Sequence, residues 1–540
     1  MPGSMCLPIR HGRISSFPMQ PWSNPKVSFV GQAISHLACG PRRRQSRTGS
    51  AMPSIDIIVP KAAPRLWQQV MVQRLQADGY DIAVSHDAGA TAWPAIVNIA
   101  LALERRVFRR GGPALVSPVS EIPTKVRQEP PTLRLDLTGN AALSPVPTIA
   151  LRFDGSPLDS AVAAAVASGT LPVIEAVLDG KTVVGRAMPM VDRRESAALG
   201  LEDVLARAIT LAVSVVRAFV ENRSVAQDLR PEPTLNAGDT AKGFVSTYLT
   251  GALPRLGNEA MRRVRFRHAH WRVGYRFIDG DGVAATSKLG NGWSVLPDAG
   301  DHFYADPFVF HWRDQDFLFV EDYPHATRKA VISVVRFDAD GKPQAPRCVL
   351  EEPYHLSYPQ VFERDGAIWM LPEASASGKL TLYRSVEFPN GWVPEAVLLD
   401  GEISDATLLE HGGRLWLFAT NRDGYGSTSD TLVIFHAERL AGPWRQHPLN
   451  PVLIDRRMAR PGGAFIHDKS NRIFLPMQDG TLGYGGGLGL CELLELDEQT
   501  VRLSAPRPID AVGDWPYPQI HTLNRSGRLE VIDGIAAVRK

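Results

Sequence analysis

Five segments in the second half of the chain share one pattern: ADPFVFHWRDQDFLFVED from residue 305, SYPQVFERDGAIWMLPEA from 357, SDATLLEHGGRLWLFATN from 404, ARPGGAFIHDKSNRIFLPMQD from 459 and PYPQIHTLNRSGRLEVIDG from 516. Each carries a polar residue, then Pro or Ala, an apolar strand, a polar turn and a second apolar strand that ends in polar residues. The polar positions Asp306, Tyr358, Asp405, Arg460 and Tyr517 stand 52, 47, 55 and 57 residues apart. That period is the length of one four-stranded β-propeller blade, so five repeats predict five blades. Too little chain follows the last repeat to complete a blade. HWRVGYRFIDG, just before the first repeat, can supply the missing strand and close the ring, which leaves no free sheet edge.

The repeat also predicts where a site would form. If the first strand runs one way and the second returns, the start of one lies beside the end of the other. Two rings of residues then meet at one mouth. The first ring is Asp306, Tyr358, Asp405, Arg460 and Tyr517. The second is Glu321/Asp322, Glu373, Asn421, Gln478/Asp479 and Asp533. Carboxylates, amides and tyrosines in one pocket suit a polyhydroxylated ligand. Glycosyl transfer or hydrolysis needs two carboxyl groups in different protonation states. Asp306, Glu373 and Asp405 are the catalytic candidates. His302, Tyr304, Glu321, Asp322, Tyr358, Arg460, Gln478, Asp479, Tyr517 and His521 are the candidates for binding substrate. Arg460 could lower a neighbour's pKa or hold an anionic group. The bland alternative is that such aspartates cap turns and that mouth residues are merely solvated; His302 and His521 are lone histidines of a kind that is commonly structural.

Residues 54–225 read differently, with strand and helix signals in alternation. SIDIIVP, DIAVSH, PALVSPV, LRLDLTG and TIALRFDG read as strands. RLWQQVMVQRLQADG and WPAIVNIALALERRVFRR read as helices, and GLEDVLARAITLAVSVVRAFVENR as a long closing helix. This alternation implies a parallel sheet with helices on its faces. Asp179-Gly180 between two apolar runs signals a hairpin. Residues 226–261 read as a linker with one helix, and 262–540 as all-β.

Residues 1–53 carry seven Arg/Lys and no Asp or Glu, against 52 basic and 57 acidic residues in the rest. This leader reads as disordered, or as sequence upstream of a true start at Met52; it lacks the apolar core of a secretory signal. A net charge of +2 gives no argument for nucleic acid. No apolar run reaches the ~18 residues of a membrane span. The four cysteines are scattered without metal spacing, which fits a reducing cytoplasm. No cofactor or metal is assigned: the glycine run LGYGGGLGL is not followed by the Lys-Ser/Thr helix of a phosphate loop and reads as a tight turn.

HFYADPFVF, PYHLSYPQVF, LPEAS, SDATLLEHGGRLWLFA, HPLNPVLID, ARPGG and HTLN…VIDG, taken in order over residues 262–540, resemble the N-terminal propeller domain of plant glucosamine inositolphosphorylceramide transferases and its bacterial relatives. That resemblance implies a five-bladed propeller similar to arabinanases, β-xylosidases, invertases and levansucrases. It implies Asp306 as base or nucleophile and Asp405 as the carboxylate that tunes its neighbour. Where those enzymes keep a catalytic Glu in a later blade, this chain has Arg460 or Tyr517, so Glu373 would have to substitute. It also implies a carbohydrate or glycoconjugate substrate in surface polysaccharide or glycolipid assembly, and a partner glycosyltransferase. A non-catalytic glycan-binding module and a furanosidase-like hydrolase are the alternatives. Residues 54–225 are similar in layout to Rossmann-like formyltransferase domains, but their one histidine, His86, lacks the HxSLLP-type motif, which implies lost formyl transfer, with Asn140 and Asp179 as remnants. The fold expected is therefore multidomain: an α/β formyltransferase-like domain followed by an all-β five-bladed propeller.

Overall fold

A computed structural model describes residues 52–540 except 63, 90–92, 109–113, 124, 126, 141–143, 224–239, 268 and 518. Residues 1–51, which include most of the basic leader, lie outside the described residues. Five antiparallel sheets follow one another from residue 302 onward. Their first strands are His302–Trp312, Ser357–Arg364, Ile403–His411, Arg460–Pro461 and Leu523–Ser526. The last sheet is completed from upstream: Leu529–Ile535 pairs with Trp271–Phe277, from Leu529 opposite Phe277 to Ile535 opposite Trp271. Ser294–Val295 forms its fourth strand. The five-bladed ring therefore closes by the pairing that the chain ends suggested.

The middle strands of a blade are covered on both faces by neighbouring blades. Their sequences are accordingly continuous apolar runs and do not alternate. Val331–Arg336 is buried except at its last residue, and all seven residues of Thr431–Ala437 are buried. The outer strand of the third blade, Arg445–Gln446, is only two residues long, whereas that of the second, Asn390–Asp400, runs eleven.

The first strands of three blades carry the same defect. Pairing skips from Ala305 to Phe308, from Ser357 to Gln360 and from Ser404 to Thr407. Two residues there oppose one, as in a β-bulge. The first of each pair is left-handed: Asp306 at φ 46°, Tyr358 at 47° and Asp405 at 49°. Pro307 thus lies inside a strand and not at its first position. It is tolerated because the bulge has already taken it out of the hydrogen-bonded ladder.

Ahead of the propeller lies a six-stranded mixed sheet. Ser54–Pro60, Asp81–Asp87, Leu133–Asp136 and Thr148–Phe153 are parallel, and Ile174–Leu178 and Thr182–Ala187 are antiparallel additions. The two additions form the hairpin expected at Asp179-Gly180, whose residues have φ of 50° and 70°. Asp179 serves that turn, accepting from the Thr148 N–H at 2.9 Å. Of PALVSPV, expected as a strand, residues 114–119 form a loop instead. Its Leu115 and Ser117 carbonyls accept from the Trp67 and Leu66 N–H groups, satisfying donors at the start of helix Leu66–Ala77. The region read as a linker holds one helical run from Thr240 to Arg265, which packs on helix Ala161–Ser168.

A buried ionic seam joins this sheet layer to the propeller. Arg207 of helix Ala197–Val220 is fully buried; its Nε donates to Asp430 Oδ1 at 2.7 Å and its Nη2 to the Ser427 carbonyl at 2.5 Å. Asp430 also accepts from the Met190 N–H at 2.8 Å. Arg74 pairs with Asp423 at 2.6 Å. Among the described residues no helix is long and apolar enough to cross a membrane.

Candidate functional site

The propeller axis carries a polar cluster to which every blade contributes. The left-handed bulges turn Asp306 and Asp405 inward, and both are almost fully buried. Asp306 Oδ1 accepts from Thr522 Oγ1 at 3.0 Å and lies 3.4 Å from His521 Nε2. On the other side of the imidazole, His521 Nδ1 lies 2.8 Å from Asp533 Oδ2. Asp533 further accepts from the backbone N–H groups of His521, Thr522 and Asp306. One atom from each of Asp306, His521 and Asp533 falls within 4.8 Å of the others, a spacing that would let the trio share a cation only with the His521 ring neutral.

Across the axis, Arg460 forks onto Asp405, with Nε 2.6 Å from Oδ2 and Nη2 3.1 Å from Oδ1. Its Nη2 also reaches Glu373 Oε2 at 3.4 Å. Gln478 Nε2 donates to the same Asp405 Oδ2 at 2.7 Å. Above both groups sits Tyr484, about half exposed: its ring meets His521 edge-on at 5.5 Å, and the Arg460 guanidinium lies 5.3 Å from its centroid. Trp271 stacks on His521 at 4.0 Å.

Burial sets the protonation of this cluster. It lifts the Asp306 carboxyl to about 7, against the opposing pull of His521. It lifts Asp405 to about 7 as well, although Arg460 opposes the rise. For His521 burial alone would favour the neutral ring, but the flanking Asp533 and Asp306 outweigh it and raise it to about 9. A protonated His521 therefore supplies positive charge between two carboxylates.

The sequence-derived candidates divide cleanly. Asp306, Glu373, Asp405, Arg460, Gln478 and His521 come together. Glu321 lies near them, acting on Asp306 electrostatically and facing His355 Nε2 at 3.3 Å. The others stand apart for reasons of strand register. In the second strands, Glu321 opposes Ala305, Glu373 opposes Ser357, Thr420 opposes Ser404 and Gln478 opposes Arg460. Asp322, Asn421 and Asp479 are one residue further on and point the other way. Asp322 holds His302 Nδ1 at 2.6 Å and Ser333 Oγ at 2.7 Å within its own blade. Asp479 accepts from the Thr481 N–H at 2.8 Å in a turn. Tyr304 is packed in the core against Leu318 and Val335. Tyr358 is fully buried, and its hydroxyl spans the ring to Gly463, accepting from the N–H at 2.7 Å and donating to the carbonyl at 3.0 Å. Tyr517 packs on Trp515, and its place in the ring is taken by His521 and Thr522.

Three contributors escaped sequence reasoning: Trp271, Tyr484 and Thr522. The glycine run around Tyr484 was the available signal. Gly485 is left-handed at φ 68°, and a Cβ there would come within 2.2 Å of the Trp271 ring. Only glycine lets this loop press onto Trp271 and hold Tyr484 over the axis.

Fold and site together define a five-bladed propeller with a charged, largely buried cluster at its axis. Residues 295–505 match the family described as glucosamine inositolphosphorylceramide transferase 1, N-terminal. The curated protein of that name from Arabidopsis thaliana is 33% identical over 206 residues, which is 37% of this chain and 27% of the relative. The one from Oryza sativa subsp. japonica is 34% identical over 203 residues, again 37% and 27%. The chain thus spans about a quarter of the length of the curated relatives it matches. Among solved structures, the catalytic domain of a Coprinopsis cinerea α-L-arabinofuranosidase is similar at 14% identity and a TM-score of 0.33, covering 43% of this chain and 81% of that one. An exo-β-1,3-galactanase from Phanerochaete chrysosporium is similar at 13% identity and a TM-score of 0.31, covering 39% and 53%.

Proposed function

We propose that the propeller mouth binds a glycan and that Asp306 carries proton transfer in a glycosyl-transfer step of glycolipid or surface polysaccharide assembly, on the cytoplasmic side and beside a partner glycosyltransferase. The observation that carries this reading is the meeting of Asp306, His521, Asp405 and Arg460 beneath the half-exposed ring of Tyr484. An acid lifted to about 7 exchanges a proton readily near neutral pH. The aromatic face of Tyr484 offers a surface for a sugar ring, and Glu373, with Oε1 accepting from Ser375 Oγ at 2.8 Å, is the second carboxylate near the axis. The curated relatives' name, glucosamine inositolphosphorylceramide transferase 1, supports an amino-sugar or inositol-containing glycoconjugate as the substrate class.

One observation favours a second reading, a glycan-binding module without chemistry. Both oxygens of Asp405 are engaged by Arg460, and one of them by Gln478 as well, which leaves Asp405 poorly placed to act as base or nucleophile. The experiment that separates the two starts from the glycan bound best on an array. The full chain is incubated with it and with sugar-nucleotide donors, and products are followed by mass spectrometry. Wild type forms product, and Asp306→Asn loses at least about a hundredfold in rate with the fold intact. Equal turnover by the variant removes Asp306 from the chemistry; binding without product from either protein establishes the module.

A further inference from the structure

The helical run from Thr240 to Arg265 presents an apolar stripe that nothing in the described protein covers. Val245, Leu249, Leu253, Met261 and Val264 are all exposed, from 40% for Val245 to 73% for Val264. Val245 and Leu249 stand four residues apart, and Leu253, Met261 and Val264 eight and three, spacings that keep each set on one side of its helix. The last stretch, Leu253–Arg265, is amphipathic yet buries none of its residues. Its charge is one-sided, with Arg255, Arg262, Arg263 and Arg265 against a single Glu259. Arg255 turns inward onto backbone carbonyls and Arg262 and Arg263 pair with Glu259, so the surplus positive charge of the face lies toward the exposed Arg265 end.

The neighbouring helix repeats the pattern. Ala95–Val107 buries Val97, Leu101 and Glu104 and exposes Ile96, Ile99, Leu103 and Val107, at steps of three, four and four residues. Arg105 and Arg106 lie in its last turn. Tyr248 donates to Glu104 at 3.3 Å and ties the two helices side by side. Two adjacent helices therefore expose apolar stripes that end in arginines. Single exposed apolar residues are ordinary on a protein surface, but two adjoining stripes rimmed by cations mark an interaction face.

We propose that this face docks in the plane of an anionic lipid surface. Apolar side chains at helical spacing can enter the boundary between headgroups and acyl chains, while the exposed Arg106 and Arg265 at the ends of the two stripes remain at the level of the anionic headgroups. The charge selects this occupant, since an electrically neutral apolar partner would gain nothing from arginines at the ends of both stripes. The face is also tied to the propeller mouth. Residues 266–270 join the helical run to Trp271, which stacks on His521. Arg255 donates to the Arg194 carbonyl, and Arg194 in turn to the carbonyls of Gly480 and Thr481. A docked helix thus holds the mouth near the lipid. The inference does not depend on the proposed glycan chemistry.

The test is co-sedimentation of the full chain with phosphatidylcholine vesicles and with vesicles in which roughly one lipid in five is phosphatidylserine. Wild type is expected to sediment with the anionic vesicles at least about tenfold more than with the neutral ones, and to be released by salt. Leu253→Ser/Val264→Ser and Ile99→Ser/Leu103→Ser are each expected to weaken this binding at least about tenfold with an unchanged melting midpoint, because all four residues are exposed. Wild type that stays in the supernatant, or variants that bind as well as wild type, would overturn the proposal. So would wild type that self-associates by light scattering, ignores vesicles and becomes monomeric in the variants, because the face then pairs with a second copy.

Discussion

Asp306 and His521 hold their protons more tightly in the folded protein than in the unfolded chain, and this has a consequence for stability. His521 titrates near 6.5 when unfolded and is raised to about 9 by its two carboxylates. Between those values the folded state keeps a proton that the unfolded state has released. Stability therefore falls as pH rises through that window, by at most about 3 kcal/mol. Asp306, moved from 3.8 to about 7, gives the same sign across a lower window. Urea midpoints measured from pH 6.5 to 9 should decline in wild type and decline less steeply in His521→Gln, where the raised Asp306 carboxyl still titrates. A parallel decline in both proteins would show that His521 is not the group responsible. Sequence alone could not assign this role. His521 is a lone histidine in a strand-like run; its own hairpin brings Asp533 to one ring nitrogen, but only ring closure brings Asp306 to the other.

At the scale of the element, the bulged first strand is the repeating device. It places a left-handed residue at the same point in three blades, and the side chain decides its use. Asp306 and Asp405 reach the axial cluster, whereas Tyr358 reaches across the ring to Gly463 and Thr407. Tyr358→Phe leaves the Gly463 N–H and carbonyl without this partner. It should cost about 1–3 kcal/mol in chemical denaturation; a change below about 0.5 kcal/mol would mean the hydroxyl bridge carries no weight. The blade count and the alignment of Asp306, Tyr358 and Asp405 were legible because the pattern recurs in five repeats, and the closing strand because the last repeat falls short of a full blade while a strand precedes the first. What each aligned residue does was not. A one-residue step along a strand reverses the side chain, so Glu321 and Asp322, or Gln478 and Asp479, could be told apart only by register. Tyr484 was hidden for another reason: it sits on a turn between strands, where the blade pattern says nothing.

The whole molecule is more than a propeller with an appendage. Arg207 reaches from the α/β layer into the loop after Asn421, and its Asp430 partner is fully buried too. Arg207→Ala strands that carboxylate and should destabilise the chain by about 3–5 kcal/mol, with Asp430→Asn in the same chain recovering part of the loss. A loss below about 1 kcal/mol, read from denaturation curves, would show that the seam does not couple the two parts. Joined in this way, the α/β layer and its exposed helices hold a fixed relation to the propeller mouth, where the account places glycan recognition. The central claim is tested most directly by calorimetric titration of the array-selected glycan into wild type and Tyr484→Ala. Loss of one aromatic contact of about 0.5–1.5 kcal/mol predicts binding weakened up to roughly tenfold, with the fold unchanged because Tyr484 is half exposed. Equal affinity in the two proteins would place the glycan elsewhere and contradict the account.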